Sequence, residues 1–239
     1  MIKVIQPGLF TTIQDAGRHG FRNIGIPTSG FMDQESAWAA NELVNNNKDE
    51  SLLEITLTGP TLIFNCNCVI SITGGDFNPL INNLPVKMYQ AINVSSGDIL
   101  KLNNTINGAR SYIAISGGLN VKSLFGSKSF FSNISDSYHL KKGDEIKVSK
   151  KSESQILKWD KLKFNLNRYM KVFRGPEYDL LSTNSKNKLF KNEFTINTNN
   201  RMAYNLEEKL QVDIKTIISS PVLPGSVQLT PSGKIIILH

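Results

Sequence analysis

Short hydrophobic runs separated by turn residues recur along most of this chain. Strand-length candidates are Ile2–Ile5, Leu52–Thr56, Thr61–Phe64, Val69–Thr73, Met88–Val94, Ile99–Leu102, Arg110–Ser116, Glu145–Val148, Tyr169–Phe173, Phe194–Ile196, Val227–Leu229 and Ile235–Leu238. Gly59-Pro60, Gly74-Gly75, Gly97-Asp98 and Gly143-Asp144 cut them apart. The pattern predicts a mainly β protein of antiparallel sheets closing into barrels or sandwiches. Helices do not follow each strand, which argues against a doubly wound parallel sheet.

One helix is strongly signalled, from about Gln34 to Val44. Asp33 stands at the N-cap position, where a carboxylate accepts from first-turn N–H groups, and Asn45-Asn46-Asn47 supplies the stop. Ala37, Ala40, Asn41, Leu43 and Val44 share the inward stripe, so Asn41 is an amide on an apolar face that must find partners, expected in the preceding loop. A weaker helix is expected from Glu177 to about Leu189. The polar stretch Lys150–Asn167 reads as a connector between halves spanning 1–150 and 168–239.

Composition narrows the class. Across 239 residues, 40% are hydrophobic and 20% charged, which is globular usage. The longest aliphatic run, Ile235–Leu238, is far short of a bilayer span, and Met1-Ile2-Lys3-Val4 opens no signal sequence, so a cytoplasmic protein with no membrane partner is expected. Cys66 and Cys68 are too few for a disulfide framework, and His19, His139 and His239 show no ligand spacing, so no metal site is expected. The net charge is +7, and residues 151–239 hold 14 of the 27 basic residues but 8 of the 20 acidic ones. These are scattered lysines without interleaved aromatics, which reads as solvated surface rather than a nucleic-acid groove.

Candidate chemistry concentrates between Gly8 and Asn41. Gln14-Asp15-x-Gly17-Arg18 followed by Ser29-Gly30-x-Met32-Asp33 gathers carboxylate, guanidinium and amide groups in what reads as a long broken loop. Either Arg18 awaits a carboxylate or phosphate, or Asp15 and Arg18 pair to lock the loop and Asp33 only caps the helix. Gly74-Gly75-Asp76 and Gly117-Gly118 follow strands, where paired glycines form anion nests or tight turns. In Leu52–Thr56, alternation puts Leu53 and Ile55 on one face and Glu54 on the other. Glu54 is then a solvated carboxylate or, if that face lines a cleft, a base or anchor. Arg110 opens a strand as a surface residue or an anion ligand. Gly126-Ser127-Lys128-Ser129 lacks the spacing and context of a phosphate loop, and Ser29 has no evident triad partner.

Taken in order, these residues resemble a known family. Gly8-x-x-Thr11-Thr12-Ile13-Gln14-Asp15-x-Gly17-Arg18, Gly25-x-Pro27-x-Ser29-Gly30-x-Met32-Asp33, Ala40-Asn41-x-Leu43-Val44 and Leu53-Glu54-Ile55-Thr56-Leu57-x-Gly59-Pro60 look like the biotin-dependent carboxyltransferases, also called allophanate hydrolase subunit 2 or KipA-like proteins. The likeness continues through Thr73–Phe77, Gly108-x-Arg110-x-Tyr112-x-Ala114-x-Ser116-Gly117-Gly118, Gly126-Ser127, Arg174–Glu177 and Arg201-Met202, covering residues 1–239 as one domain. Two departures are Lys128, where the family carries Arg, and Asn199-Asn200 before Arg201. A third is the end at His239, where relatives continue into a glycine- and threonine-rich segment.

The resemblance implies a cyclophilin-like β-barrel architecture and is strongest to the C-type component of 5-oxoprolinases. It implies a protein active only in complex with a KipI-like 5-oxoprolinase B component and a 5-oxoprolinase A component, opening the 5-oxoproline lactam to L-glutamate with ATP and Mg as co-substrate. Asp15, Arg18 and Glu54 are then the catalytic candidates. Gln14, Ser29, Gly30, Asp33, Asn41, Gly74, Gly75, Asp76, Arg110, Gly117 and Gly118 are the binding candidates. The family also holds regulators that antagonise a KipI-like histidine kinase inhibitor, and carboxyltransferases acting on urea-like amides. The chain carries no Ala-Met-Lys-Met biotin attachment sequence.

Overall fold

The computed structural model describes residues 1–149, 171–212 and 222–239. Contacts divide the chain into two units, Met1–Asn165 and Leu166–His239. The first unit contains β1 (Ile2–Gln6), β2 (Phe10–Gln14), α1 (Gln34–Leu43), β3 (Leu52–Thr56), β4 (Thr61–Phe64), β5 (Cys68–Asp76), β6 (Leu80–Ile81), β7 (Leu84–Pro85), β8 (Ala91–Val94), β9 (Ile99–Lys101), β10 (Asn107–Ile115) and β11 (Glu145–Ile146). They form a six-stranded sheet in the order β11-β1-β4-β9-β6-β7 and a five-stranded sheet in the order β2-β3-β10-β5-β8. The second unit contains α2 (Thr183–Lys191), β12 (Ile196–Asn199), β13 (Ala203–Lys209), β14 (Val227–Leu229) and β15 (Lys234–Leu238), its sheet ordered β12-β13-β15-β14. The mainly β class is as expected, and all the pairings are antiparallel.

In the first unit the two sheets share one core. Ile2, Val4, Leu62, Phe64, Leu100 and Ile146 from the six-stranded sheet meet Ile13, Leu53, Ile55, Ile70, Ile72, Ile113 and Ile115 from the five-stranded one. Because strand side chains alternate, the other face of the five-stranded sheet carries Thr12, Gln14, Leu52, Glu54, Arg110, Tyr112, Ala114, Ser71 and Thr73. Helix α1 covers part of that face, with Ala37, Ala40 and Val44 packed on Leu52, Tyr112 and Ala114. Two hydroxyls tie helix to sheet: Ser71 Oγ donates to Ala40 O and Thr73 Oγ1 to Ser36 O, each at 2.6 Å. The helix begins as expected, with Asp33 accepting from Ser36 N–H at 3.1 Å and Ser36 Oγ at 2.6 Å. It ends one residue earlier than expected, at Leu43, followed by Asn45 in the left-handed region at φ 56°.

Several expectations need correction. The segment read as a broken loop contains β2, whose ladder to β3 runs from Phe10↔Thr56 to Gln14↔Leu52. Its Thr-Thr-x-Gln lacks hydrophobic alternation, yet Thr11, Thr12, Ile13 and Gln14 are all buried, because residues 130–140 cover its other edge through Phe130 N–H to Ile13 O and Leu140 N–H to Thr11 O. Gly74-Gly75-Asp76 is strand rather than loop. A Cβ at Gly74 would sit 2.6 Å from Arg110 O, and one at Gly75 2.9 Å from the same atom, so these glycines allow β5 to approach β10 at a bulge. The second helix is a short 3-10 turn, Tyr178–Leu180, and then α2, shifted from the expected Glu177–Leu189. The polar strand β13 has no counterpart among the expected strands. Lys150–Asn167, and with it the expected junction between halves, lies outside the described residues, as does the start of Tyr169–Phe173, of which 171–173 is irregular.

Candidate functional site

The polar face of the five-stranded sheet brings Glu54, Arg110 and Asp33 together beneath the N-terminus of α1. Glu54 is 1% exposed. Its Oε2 accepts from Met32 N–H at 2.9 Å and from the Tyr112 hydroxyl at 3.1 Å, and Oε1 lies 3.8 Å from Arg110 Nε. Tyr112 Oη also accepts from Asp33 N–H at 2.8 Å. Burial, reinforced by the Glu54 carboxylate, pushes the Tyr112 phenol well above its ordinary value, so Tyr112 remains a hydrogen-bond donor at neutral pH. Tyr112 is not among the sequence candidates, though its place directly across the ladder from Glu54 follows once β3 and β10 pair. Tyr89 joins the same region: its hydroxyl bonds both N and O of Gly74, and burial raises its pKa.

Asp15, Arg18, Ser29 and Gly30 form a second cluster with Ser127–Phe130. Asp15 Oδ1 accepts from Gly17 N–H (2.8 Å), Ser127 Oγ (2.6 Å) and Ser129 Oγ (2.6 Å), and Oδ2 accepts from Lys128 N–H (2.5 Å). These bonds make Asp15 the clamp of residues 127–129. Arg18 is 2% exposed, and Nη2 donates to Ser129 O while Nε and Nη1 have no hydrogen-bond partner among the described residues. Burial lowers its pKa, opposed by Asp15 and Tyr138. Ser29 sits at φ 61° and donates to Phe130 O at 2.7 Å. A Cβ on Gly30 would lie 3.0 Å from Ala16 O, so glycine lets this loop close on Asp15 and Ala16. Gln14 is fully buried, donates to Thr12 Oγ1 and leaves Oε1 without a partner among the described residues.

The remaining candidates serve the fold around α1 and the strand ends. Asn41 Nδ2 donates to Lys48 O and Glu50 O, and Asn41 Oδ1 accepts from Asn46, so its partners lie in the loop after the helix rather than before it. Asn46 Oδ1 in turn accepts from Gly117 N–H, and Glu50 occupies the space beside Gly118, where a Cβ would meet its Cγ at 2.5 Å. Lys128 Nζ reaches Glu50 Oε1 at 2.9 Å and Leu119 O at 3.0 Å. Asp76 accepts from Asn78 N–H at the end of β5. The segment 28–33 joins the first two clusters: Phe31 N–H donates to Asp15 O, and the next residue donates to Glu54. Among the described residues no group of three or more His, Cys, Asp or Glu side chains is placed to hold a metal ion, and no helix is long and apolar enough to cross a membrane.

Known proteins resemble this chain in sequence and in structure. The C component of the Escherichia coli K12 5-oxoprolinase is 29% identical over 245 residues, taking in 100% of this chain and 79% of that protein. The urea amidolyase of Saccharomyces cerevisiae is 38% identical over 131 residues, which is 54% of this chain and 7% of that protein. Among solved structures, TTHA0988 superimposes with a TM-score of 0.87 at 26% identity over 99% of this chain, which spans about half (48%) of that chain. The urea amidolyase of K. lactis superimposes with a TM-score of 0.83 at 27% identity over 99% of this chain and 16% of that one. Residues 24–239 match the carboxyltransferase domain, subdomains A and B, and the chain belongs to that family.

Proposed function

We propose that this chain is the C component of an ATP-dependent 5-oxoprolinase that opens 5-oxoproline to L-glutamate. The observation that carries the reading is coverage. In sequence, likeness to the C components of two bacterial 5-oxoprolinases takes in all of this chain and 79% of each relative, whereas the urea amidolyases align in sequence to about half of it, although in structure that of K. lactis spans 99% of the chain.

The chemistry requires activation, because an amide carbonyl is a poor electrophile. Transfer of the ATP γ-phosphoryl group to the lactam oxygen activates the ring carbon; water adds to that carbon, the C–N bond breaks as the nitrogen takes up a proton to leave a γ-glutamyl phosphate, and a second water hydrolyses that acyl phosphate to glutamate and phosphate. Charge then develops on the phosphoryl oxygens and at the tetrahedral carbon, where fixed guanidinium and N–H donors act best. The candidate for such a role in this chain is the buried Arg18, beside the 127–129 segment that Asp15 holds. Residues 126–129 do not form a phosphate cradle, since Lys128 is engaged with Glu50 and Leu119. The nucleotide, with Mg on its phosphates, is therefore assigned to the assembly formed with a KipI-like B component and an A component.

The test is glutamate release from 5-oxoproline and ATP by the purified chain alone and after mixing with candidate B and A components. Turnover by the mixture alone is expected. An assembly that forms no glutamate, or that carboxylates urea instead, overturns the reading. Equal turnover by the single chain overturns the need for partners.

A further inference from the structure

We propose that Arg110 is the recognition point for a substrate carboxylate, its Nε side held by the buried Glu54 and its terminal nitrogens left for the ligand. The inference rests on the 5-oxoprolinase reading only for the identity of the acid, and it adds the residue that recognises it and the chemical class recognised.

The geometry separates the two ends of this side chain. Nε is buried and 3.8 Å from Glu54 Oε1, an ionic contact longer than a hydrogen bond, and it has no hydrogen-bond partner. The side chain retains 15% exposure, against 1% for Glu54. Among the described residues, the contact seen for this guanidinium is the ionic one from Nε to Glu54. A guanidinium carries five donors in a planar fork that matches a carboxylate edge to edge, so this side chain holds donor capacity that the fold does not consume.

The surroundings are rigid. Glu54 is fixed by Met32 N–H and the Tyr112 hydroxyl, and Tyr112 is fixed by Asp33 N–H. The backbone beneath Arg110 is pinned by the approach of Gly74 and Gly75 to its carbonyl oxygen. Preorganisation of this kind reduces the ordering cost of binding. Of the acidic groups that surround Tyr112 together with Arg110, Glu54 is already opposed to Arg110, and Asp33 has its two oxygens occupied by Ser36 N–H and Oγ at the positive end of α1. A neutral amide offers the fork one uncharged carbonyl acceptor, whereas the carboxylate of a lactam acid offers two oxygens and a negative charge, so this arrangement favours acids over uncharged amides of the same ring.

The test follows the arginine Nε–H resonances of isotope-labelled protein, alone and in the assembly with the B and A components. The titrants are 5-oxoproline, tetrahydrofuran-2-carboxylate (the acid without the lactam) and 2-pyrrolidinone (the lactam without the acid). Both acids are expected to shift the Arg110 resonance and saturate, while 2-pyrrolidinone does not. Arg110→Lys, which keeps a cation opposite Glu54, is expected to weaken both acids by about tenfold or more, because the planar fork is lost. Arg110→Gln is expected to abolish binding, and if that variant fails to fold, Arg110→Lys decides. Unchanged acid binding in Arg110→Lys, equal binding of 2-pyrrolidinone, or no acid binding in either the chain or the assembly overturns the inference. Failure of the 5-oxoprolinase reading looks different: acids still bind at Arg110, yet the assembly forms no glutamate.

Discussion

Glu54 and Arg110 face each other diagonally across β3 and β10 at 3.8 Å, the carboxylate 1% exposed and the guanidinium side chain 15%. Removing the buried partner is the expensive change, because Glu54→Ala strands Arg110, the Tyr112 hydroxyl and Met32 N–H at once. Loss of about 3–5 kcal/mol is expected by urea denaturation. Glu54→Gln keeps an acceptor for both hydrogen bonds and is expected to lose less. Equal stability of all three proteins would show that the pair contributes nothing to the fold.

Gly74 supplies a sharper distinction between a ligand nest and a packing device. Its φ is +83°, a Cβ would sit 2.6 Å from Arg110 O, and its N–H already bonds the Tyr89 hydroxyl. Gly74→Ala is therefore expected to destabilise the chain itself by more than the ~1–3 kcal/mol of the backbone strain alone. A wild-type melting temperature with lost ligand binding would instead assign the glycine to a ligand.

What the sequence reveals follows the reach of its patterns. Alternation in Leu52–Thr56 puts Glu54 opposite Leu53 and Ile55, and the sheet keeps that arrangement, since period-two geometry is local. The Asp33 cap and the asparagine stop of α1 are legible for the same reason. β2 escapes because its buried residues are Thr and Gln, whose burial depends on a cover supplied by residues 130–140. Gly74 reads as a turn because a glycine required by a bulge has the same spelling as one required by a loop. The Asp15 clamp is the extreme case: its partners Ser127 and Ser129 are 112 and 114 residues away, beyond any local signal. Asn41 is visible as an amide needing partners, but the direction from which they come is a tertiary fact.

Stability should fall at both ends of the pH range, for different residues. Burial pushes the Glu50 carboxyl up, but hydrogen bonds from Lys128 Nζ and from Ser51 N–H and Oγ outweigh it and leave the pKa below its ordinary 4.5. A group depressed in the folded state stabilises above its unfolded value and loses that contribution as pH drops through its folded value. Tyr112 and Tyr89 are raised above 10, chiefly by burial, so their contribution is complete below pH 10 and is lost as pH rises through their folded values. Melting temperature is expected to be flat between about pH 5 and 9 and to fall on either side. Glu50→Gln should shrink the acid drop and Tyr112→Phe the alkaline one, and a profile unchanged by either variant would remove these groups from the account.

Arg18 carries the clearest conflict between stability and use. A guanidinium at 2% exposure with Nε and Nη1 unpartnered is poorly compensated, and Ser129 O, which it contacts, also accepts from Ser135 Oγ at 2.9 Å. Replacing a buried, imperfectly paired charge by an apolar side chain of similar volume is often neutral or stabilising. Arg18→Met is therefore expected to melt at or above the wild-type temperature, while Arg18→Ala, which leaves a cavity, should lose about 2–5 kcal/mol. A buried charge that the fold compensates poorly points to function, so Arg18→Met should lose 5-oxoproline turnover in the assembled complex despite its intact fold. If Arg18→Met is both stable and fully active, the charge serves neither purpose and Arg18 leaves the list of functional residues. If it unfolds, the Ser129 contact and the nearby Asp15 carboxylate compensate the guanidinium far better than the geometry indicates.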